Sequence, residues 1–109
     1  MITMEKVKEL LKERKEYKNE YFDNRKYLID SFVQKYDNIF YIYSSALGTA
    51  KLQGQDTAEL NSLIRGLKNY KGDNVLSISI DPVDGKGDYV TILTDPKMKS
   101  IIGIHRKTI

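Results

Sequence analysis

The sequence has 109 residues, the size of one domain and too short for two ordinary ones. Hydrophobic residues make up 40% and charged residues 30%, so the chain is too apolar for intrinsic disorder and should fold with a large hydrated surface. Cysteine is absent and histidine occurs once, which excludes disulfides, thiolate nucleophiles, zinc fingers and iron–sulfur ligation. A core of this size has no room for an enclosed haem or flavin, and we expect no cofactor.

The long apolar run of a membrane span is missing, because no segment approaches the roughly 20 apolar residues that one requires. The first residues, Met1-Ile2-Thr3-Met4-Glu5-Lys6, lack the basic-then-apolar order of a signal peptide. We therefore expect a cytoplasmic protein that does not enter membranes.

The first predicted element is a long helix from Met4 to about Tyr36. This stretch contains no Pro or Gly, and Glu, Lys, Leu and Arg, which are good helix formers, dominate its first half. Apolar residues recur at helical spacing in two stripes that are out of phase. The pattern predicts a helix with a bend or break near residues 23–24.

Two further helices are predicted after this one. Apolar residues return at helical spacing over about 38–52, although the strand-favouring run 39–43 leaves a short strand as the alternative. Asp56 and Glu59 then match a capping pattern ahead of an apolar stripe, which predicts a helix over about 57–71. Gly72 suits the left-handed conformation that closes a helix.

The hydrophobic period changes to two after Gly72, which predicts strands at about 75–80, 89–94 and 100–105. The connections are too short for parallel crossovers, so the strands should form an antiparallel meander. The predicted fold class is α+β: one domain whose mostly helical N-terminal two-thirds packs on one face of a three-stranded antiparallel sheet.

The loop between the first two predicted strands contains Asp81, Asp84 and Asp88, which would suit a hard cation. The spacing does not match a calcium-binding loop, and Asp, Gly and Pro are also the residues that a long turn needs. Gly85-Lys86-Gly87 resembles a phosphate loop in composition only, because a strand follows it where a phosphate loop requires a helix. We predict a turn without a metal.

His105 is the one candidate general base, since its unperturbed pKa lies near neutrality. Its sequence neighbours Ile104, Arg106 and Lys107 supply neither a nucleophile nor an orienting carboxylate. No serine lies in a Gly-x-Ser-x-Gly turn. The sequence therefore favours a protein that is not an enzyme.

Charge is divided unevenly along the chain: residues 1–72 carry a net +3, residues 73–96 a net −4 and residues 97–109 a net +4. Basic residues alternate with aromatic rings in the N-terminal helix, and more basic residues follow in the last strand. Such residues contact phosphates and stack on bases. The candidate partner-binding or nucleic-acid-binding residues are Lys8, Lys12, Arg14, Lys15, Tyr17, Lys18, Tyr21, Arg25, Lys26, Lys97, Lys99, Arg106 and Lys107.

Five glutamates between residues 5 and 20 offset most of the charge of the N-terminal helix, and interleaved charge is typical of a solvated face. The chain also has eight tyrosines and no tryptophan. Tyrosine is enriched at protein interfaces, although it also fills the half-buried rim of small domains. A long amphipathic helix with little core of its own also suits pairing with its copy, so a homo-oligomer is an alternative.

These features favour a non-enzymatic binding module. We expect an accessory or inhibitory protein, in the style of a phage or mobile element, that docks on another protein or on a nucleoprotein complex. The alternative is direct binding of DNA or RNA by the basic N-terminal helix and the basic C-terminal strand.

Overall fold

The structure is a computed structural model that describes residues 2–12, 14, 22 and 25–108. These residues contain three α-helices, four strands and one 3-10 turn. In chain order they are α1 (Met4–Leu10), β1 (Tyr27–Lys35), α2 (Tyr36–Leu52), α3 (Ala58–Leu67), the 3-10 turn (Lys68–Tyr70), β2 (Asn74–Pro82), β3 (Asp88–Thr94) and β4 (Ile101–Thr108).

The four strands form one sheet in the order β1-β2-β3-β4, and every neighbouring pair is antiparallel. Short turns join β2, β3 and β4 into a meander. The two long helices separate β1 from β2 along the chain, yet β1 pairs with β2 along its whole length, from Tyr27 opposite Pro82 to Lys35 opposite Asn74. Within the described residues, β1 and β4 are therefore the edges of the sheet.

Both faces of the sheet carry an apolar core, because successive side chains of a strand point to opposite faces. Val75 and Leu93 pack with α2 and α3 on one face. Ile78 and Ile92 pack on the other face, where Val7 of α1 covers them. The sheet is consequently the middle layer of three.

Helix α3 lies unusually close to β4, and two glycines permit this approach. A Cβ atom at Gly66 would lie 2.5 Å from the backbone oxygen of Ile102, and one at Gly103 would lie 2.8 Å from the Cα atom of Leu63. Real Cβ atoms do not come so near to backbone atoms, so the absence of both side chains sets the distance between helix and strand.

The predicted three-stranded sheet and mostly helical N-terminal two-thirds are wrong. Residues 27–35, predicted as the end of the long helix, form strand β1, and the sheet has four strands. The reason lies in the position of β1. Its partner strand is distant in the sequence, and an edge strand is covered incompletely, so its apolar residues do not alternate cleanly and they mimic a helical stripe.

The long N-terminal helix is also wrong in length. Helix α1 ends at Leu10, and Leu11 caps it. The predicted bend at 23–24 lies outside the described residues. Because α1 covers the face of the sheet opposite α2 and α3, the prediction that all helices pack on one face is wrong as well.

The other predicted elements are present with shifted ends. The helix predicted over 38–52 begins at Tyr36, and the alternative of a strand at 39–43 is wrong. The helix predicted over 57–71 ends at Leu67 and continues as the 3-10 turn. Gly72 adopts the expected left-handed conformation, with a φ of 88°. The three meander strands each extend beyond their predicted bounds.

Candidate binding surfaces

Five of the large apolar side chains that lie exposed on β1 and α2 are called the apolar surface here: Leu28, Phe32, Val33, Tyr41 and Ile42. Their exposed fractions run from 44% for Phe32 to 74% for Tyr41. Among the described residues, the only other large apolar side chains so exposed are Leu52 and Val83.

The position of β1 explains why this surface is exposed. Phe32 pairs with Ser77 and Val33 with Leu76, so the two side chains point to opposite faces of the sheet. A central strand would bury both of them. At the edge, the two covering layers leave Phe32 44% and Val33 55% exposed.

A shallow depression of about 620 Å³ lies between β1 and α2. Three residues of the strand and three of the helix line it: Val33, Gln34, Lys35, Asn38, Tyr41 and Ile42. Three members of the apolar surface therefore share one concave site. Lysine supplies the only formal charge in its lining.

A second cavity, of about 560 Å³, lies between the end of α1 and the turn that joins β3 to β4. We call it the basic cleft, and its lining residues are Lys6, Glu9, Leu10, Lys12, Arg14, Met98, Lys99, Ser100 and Ile101. Of the described residues, four cationic side chains and one carboxylate line it. Because the cations come from two distant parts of the sequence, the fold itself concentrates the positive charge.

The carboxylate of Asp95 holds the turn beside this cleft in shape. It accepts backbone N–H bonds from Lys97 (3.2 Å), Lys99 (2.7 Å) and Ser100 (2.8 Å). Burial by itself would raise the pKa of Asp95, but these backbone donors outweigh it and lower the pKa. The turn also holds Met98 at a φ of 58°, the one positive φ among the described non-glycine residues.

Three of the predicted binding residues meet in the basic cleft. Lys12 and Arg14 follow α1, and Lys99 lies across from them on the β3–β4 turn. Lys8 is half-buried on α1, and Lys97 lies on the same turn as Lys99. The prediction concerning Lys15, Tyr17, Lys18 and Tyr21 lies outside the described residues.

The remaining predicted residues do not line the cleft. Arg25 donates from Nη1 to the backbone oxygen of Lys86, at 2.6 Å. Lys26 and Lys107 are exposed at the opposite end of the sheet, near the start of β1 and the end of β4. Arg106 binds a carboxylate of α3, so the predicted set is spread over several surfaces.

That carboxylate belongs to Glu59, whose role the sequence did not reveal. Its Oε1 accepts the backbone N–H of Arg106 (2.6 Å) and its Oε2 accepts Nε of the same arginine (3.0 Å). Glu59 was predicted to take part in a helix cap. The N-terminus of α3 is instead bonded by Asp56, whose Oδ1 accepts the N–H of Ala58 at 3.0 Å. Only the tertiary fold brings α3 and β4 together.

His105 also lies near this glutamate. Its Nδ1 is 3.7 Å from Oε1 of Glu59, beyond hydrogen-bond distance, and it is buried without a hydrogen-bond partner. The ring packs edge-to-face on Tyr43, with centroids 5.8 Å apart. Burial lowers the pKa of His105, Glu59 opposes the shift and Lys107 adds to it. His105 therefore lies between α2 and α3, with Tyr43 on one side and Glu59 on the other.

The acidic loop between β2 and β3 has the features of a turn. Asp84 accepts the backbone N–H of Lys86 at 3.0 Å, and Gly85 and Gly87 have φ values of 71° and 91°. Such positive values favour glycine. Within the described ranges, no three Asp, Glu, His or Cys side chains form a group that would hold a metal ion.

The tyrosines divide between core and surface. Tyr36 and Tyr43 are buried in the core between α2 and the sheet, and Tyr36 stacks on Phe40 at 5.3 Å. Burial raises the pKa of Tyr43, against the effect of a hydrogen bond with Thr91. Tyr41 is 74% exposed and belongs to the apolar surface.

Comparison of the chain with protein-family models, curated proteins and solved structures found no significant match. None of the helices in the described part of the chain has the length and apolar character to cross a membrane.

Proposed function

We propose that this chain is a non-enzymatic binding module that docks on another protein through the apolar surface. The observation that carries the proposal is that three exposed apolar side chains, Val33, Tyr41 and Ile42, line one depression. Of the seven large ones in the described residues, six lie on β1 and α2, and Val83 alone lies elsewhere. Scattered single residues need no explanation, but a cluster of them on a small soluble domain is typical of an interaction site.

The chemistry of this surface fits a protein partner. Tyr41 and Ile42 offer apolar area on a rigid helix, and the neighbouring depression gives a partner side chain a place to insert. Tyrosine combines such area with a polar tip and loses little conformational entropy on binding. Strand β1 adds backbone groups at a sheet edge, which a partner strand pairs with in many complexes.

The edge carries one feature that restrains indiscriminate pairing. The carboxylate of Asp30 accepts the backbone N–H of Ser31 at 2.9 Å, so this donor already has a partner. Charged residues on edge strands reduce edge-to-edge aggregation. We therefore expect α2 and the depression to supply most of the affinity, with the β1 backbone in a secondary role.

Affinity capture with a matched pair of variants tests the proposal. The tagged chain is incubated with a nuclease-treated bacterial lysate, and the same is done with Ile42→Asp and with Leu52→Asp. Both substitutions introduce a carboxylate on the exposed side of α2. Only Ile42 lines the depression, whereas Leu52 is 91% exposed at the far end of the helix.

The expected result is a protein retained by the wild type and by Leu52→Asp and lost with Ile42→Asp. A single well-placed apolar anchor commonly contributes about 2 kcal/mol or more, a loss of roughly thirtyfold in affinity. Equal capture by all three proteins would contradict the proposal. So would capture by the wild type from an untreated lysate that is lost when the lysate is treated with nuclease. Light scattering measures the molar mass of the purified chain and so tests for self-association. A dimer that Ile42→Asp dissociates would mean that the apolar surface binds a second copy of the chain instead of a different protein.

A further inference from the structure

The basic cleft is a second surface of the protein. It lies beside the turn that leads into β4, whereas the apolar surface lies on α2 and on β1, the opposite edge strand of the sheet. Lys6, Lys12 and Arg14 approach it from the N-terminal segment and Lys99 from the β3–β4 turn, while Glu9 is the one acid among the described residues that line it. Positive side chains held together in a concave site focus a field that attracts anions.

The backbone of the turn does not offer a cradle for a single phosphate. Such a cradle consists of free N–H groups that converge on the anion. Here the N–H groups of Lys97, Lys99 and Ser100 all donate to Asp95. Binding would have to come from the long cationic side chains, which suit several phosphates spaced along a chain better than one enclosed phosphate.

The cleft also has an apolar floor, and inorganic phosphate has no apolar group that would contact it. Leu10, Met98 and Ile101 line it and are each only partly buried. Met98 adopts a φ of 58°, a conformation that is costly for a residue other than glycine. Cations beside an apolar floor match a ligand that carries phosphates on one side and a sugar or base on the other.

From this arrangement we propose that the basic cleft binds a short stretch of single-stranded nucleic acid. The phosphates lie against Lys6, Lys12, Arg14 and Lys99, and a base or sugar lies on the apolar floor. The volume of about 560 Å³ falls in the range of about 300–1,000 Å³ in which proteins hold compact ligands. Such a volume admits one or a few nucleotides. This site is independent of protein docking at the apolar surface.

Fluorescence anisotropy with a labelled single-stranded oligonucleotide of about 12 nucleotides tests the proposal on the full chain. If four phosphates are contacted, log affinity falls with log salt with a slope near −3, so raising the salt from about 50 to 200 mM weakens binding about fiftyfold. Absence of binding by the wild type at about 50 mM salt would overturn the proposal.

A charge-matched pair of double variants locates the site. Lys12→Glu with Lys99→Glu reverses two exposed cations of the cleft. Lys26→Glu with Lys51→Glu makes the same change in net charge at two exposed lysines outside it. We expect the cleft variant to bind at least about tenfold more weakly, with its salt slope reduced by about 1.4, and the control to change less than about threefold. Equal weakening of the two variants would overturn the proposal, since it would mean that only the overall charge matters. Circular dichroism verifies that both remain folded.

The apolar floor distinguishes nucleic acid from other polyanions. Met98→Gly removes the side chain at a position whose φ suits glycine. It should weaken oligonucleotide binding several-fold and leave the salt slope unchanged. Inorganic tripolyphosphate and poly-glutamate should displace the labelled oligonucleotide much less effectively than an unlabelled oligonucleotide does, when the competitors are compared at the same concentration of negative charges. If either competitor is as effective as the unlabelled oligonucleotide at equal charge, the cleft does not prefer nucleic acid and the proposal fails.

Discussion

The contact between α3 and β4 gives the sharpest test of the packing. Replacing Gly103 by alanine would place a Cβ atom 2.8 Å from both Cα and Cγ of Leu63 and 2.9 Å from its Cβ. One of these atoms belongs to the backbone of α3, so the strain cannot be relieved by turning a side chain. Helix and strand must move apart, and Leu63, which is 1% exposed, must repack.

We expect Gly103→Ala to lower the free energy of unfolding by about 1–3 kcal/mol, the usual cost of overpacking a dense core. The substitution also removes conformational freedom from the unfolded chain, which favours folding by about 0.4–1 kcal/mol. The overpacking must exceed that gain for destabilisation to be seen. A small domain has about 5–15 kcal/mol of stability in all, so the effect is readily measured.

Gly48→Ala is the matched control, because the same methyl group is added where no atom lies within 4 Å. Gly48 is exposed in the interior of α2, and alanine there should stabilise the protein by about 0.5–1 kcal/mol. Urea unfolding followed by circular dichroism measures both changes. Opposite signs are expected. A Gly103→Ala protein as stable as the wild type would refute the close approach of α3 to β4.

Three further predictions concern the core, the turn and the histidine. Leu67→Ala should cost about 2–5 kcal/mol in urea unfolding, since Leu67 is fully buried between α3 and the sheet. Asp95→Ala should cost about 1–2 kcal/mol because three backbone N–H groups lose their acceptor, and Asp95→Asn should cost less because it keeps the oxygen that binds two of them. The lowered pKa of His105 means that the folded state favours the neutral ring, so stability is full above the ordinary pKa of 6.5 and falls as pH drops from there towards the folded-state pKa. Urea unfolding at several pH values should show this slope, and His105→Gln should flatten it; an unchanged slope would assign the effect to other groups.

The sequence predicted correctly those helices and strands whose apolar residues repeat with the period of the element. Helix α3 has a clear apolar stripe through Leu60, Leu63, Ile64 and Leu67, and all four are buried. Strand β2 alternates because it is central, and Leu76, Ile78 and Ile80 share one face. Such periods are set by burial on one side of an element, so they can be read without knowing the neighbours.

Strand β1 could not be identified in this way, because its character depends on pairing with β2 across two intervening helices. Phe32 and Val33 are adjacent and both exposed, which breaks the period of two. One signal was present: residues 27–33 are rich in aromatic and β-branched side chains, which favour strands. Their spacing of three and four residues from Ile29 to Val33 favoured the wrong assignment.

The residues of the candidate sites were also predicted only in part. The sequence singled out Lys12, Arg14 and Lys99 by charge, and the fold places them around one cleft. No sequence pattern indicated that Lys6 joins them or that Glu59 binds Arg106, since both depend on contacts between distant elements. The apolar surface was not predicted because β1 was not predicted, and the residues of β1 are exposed only because this strand lies at the edge of the sheet.

Site-specific photo-crosslinking tests most directly whether the apolar surface is a docking site. A photoreactive phenylalanine analogue is placed at Ile42, within the depression, or at Leu52, on the same helix outside it. After irradiation in nuclease-treated lysate, the chain labelled at Ile42 should form one discrete adduct with a different protein, and the chain labelled at Leu52 should form none. Identical adducts from both positions, or none from Ile42, would contradict the account.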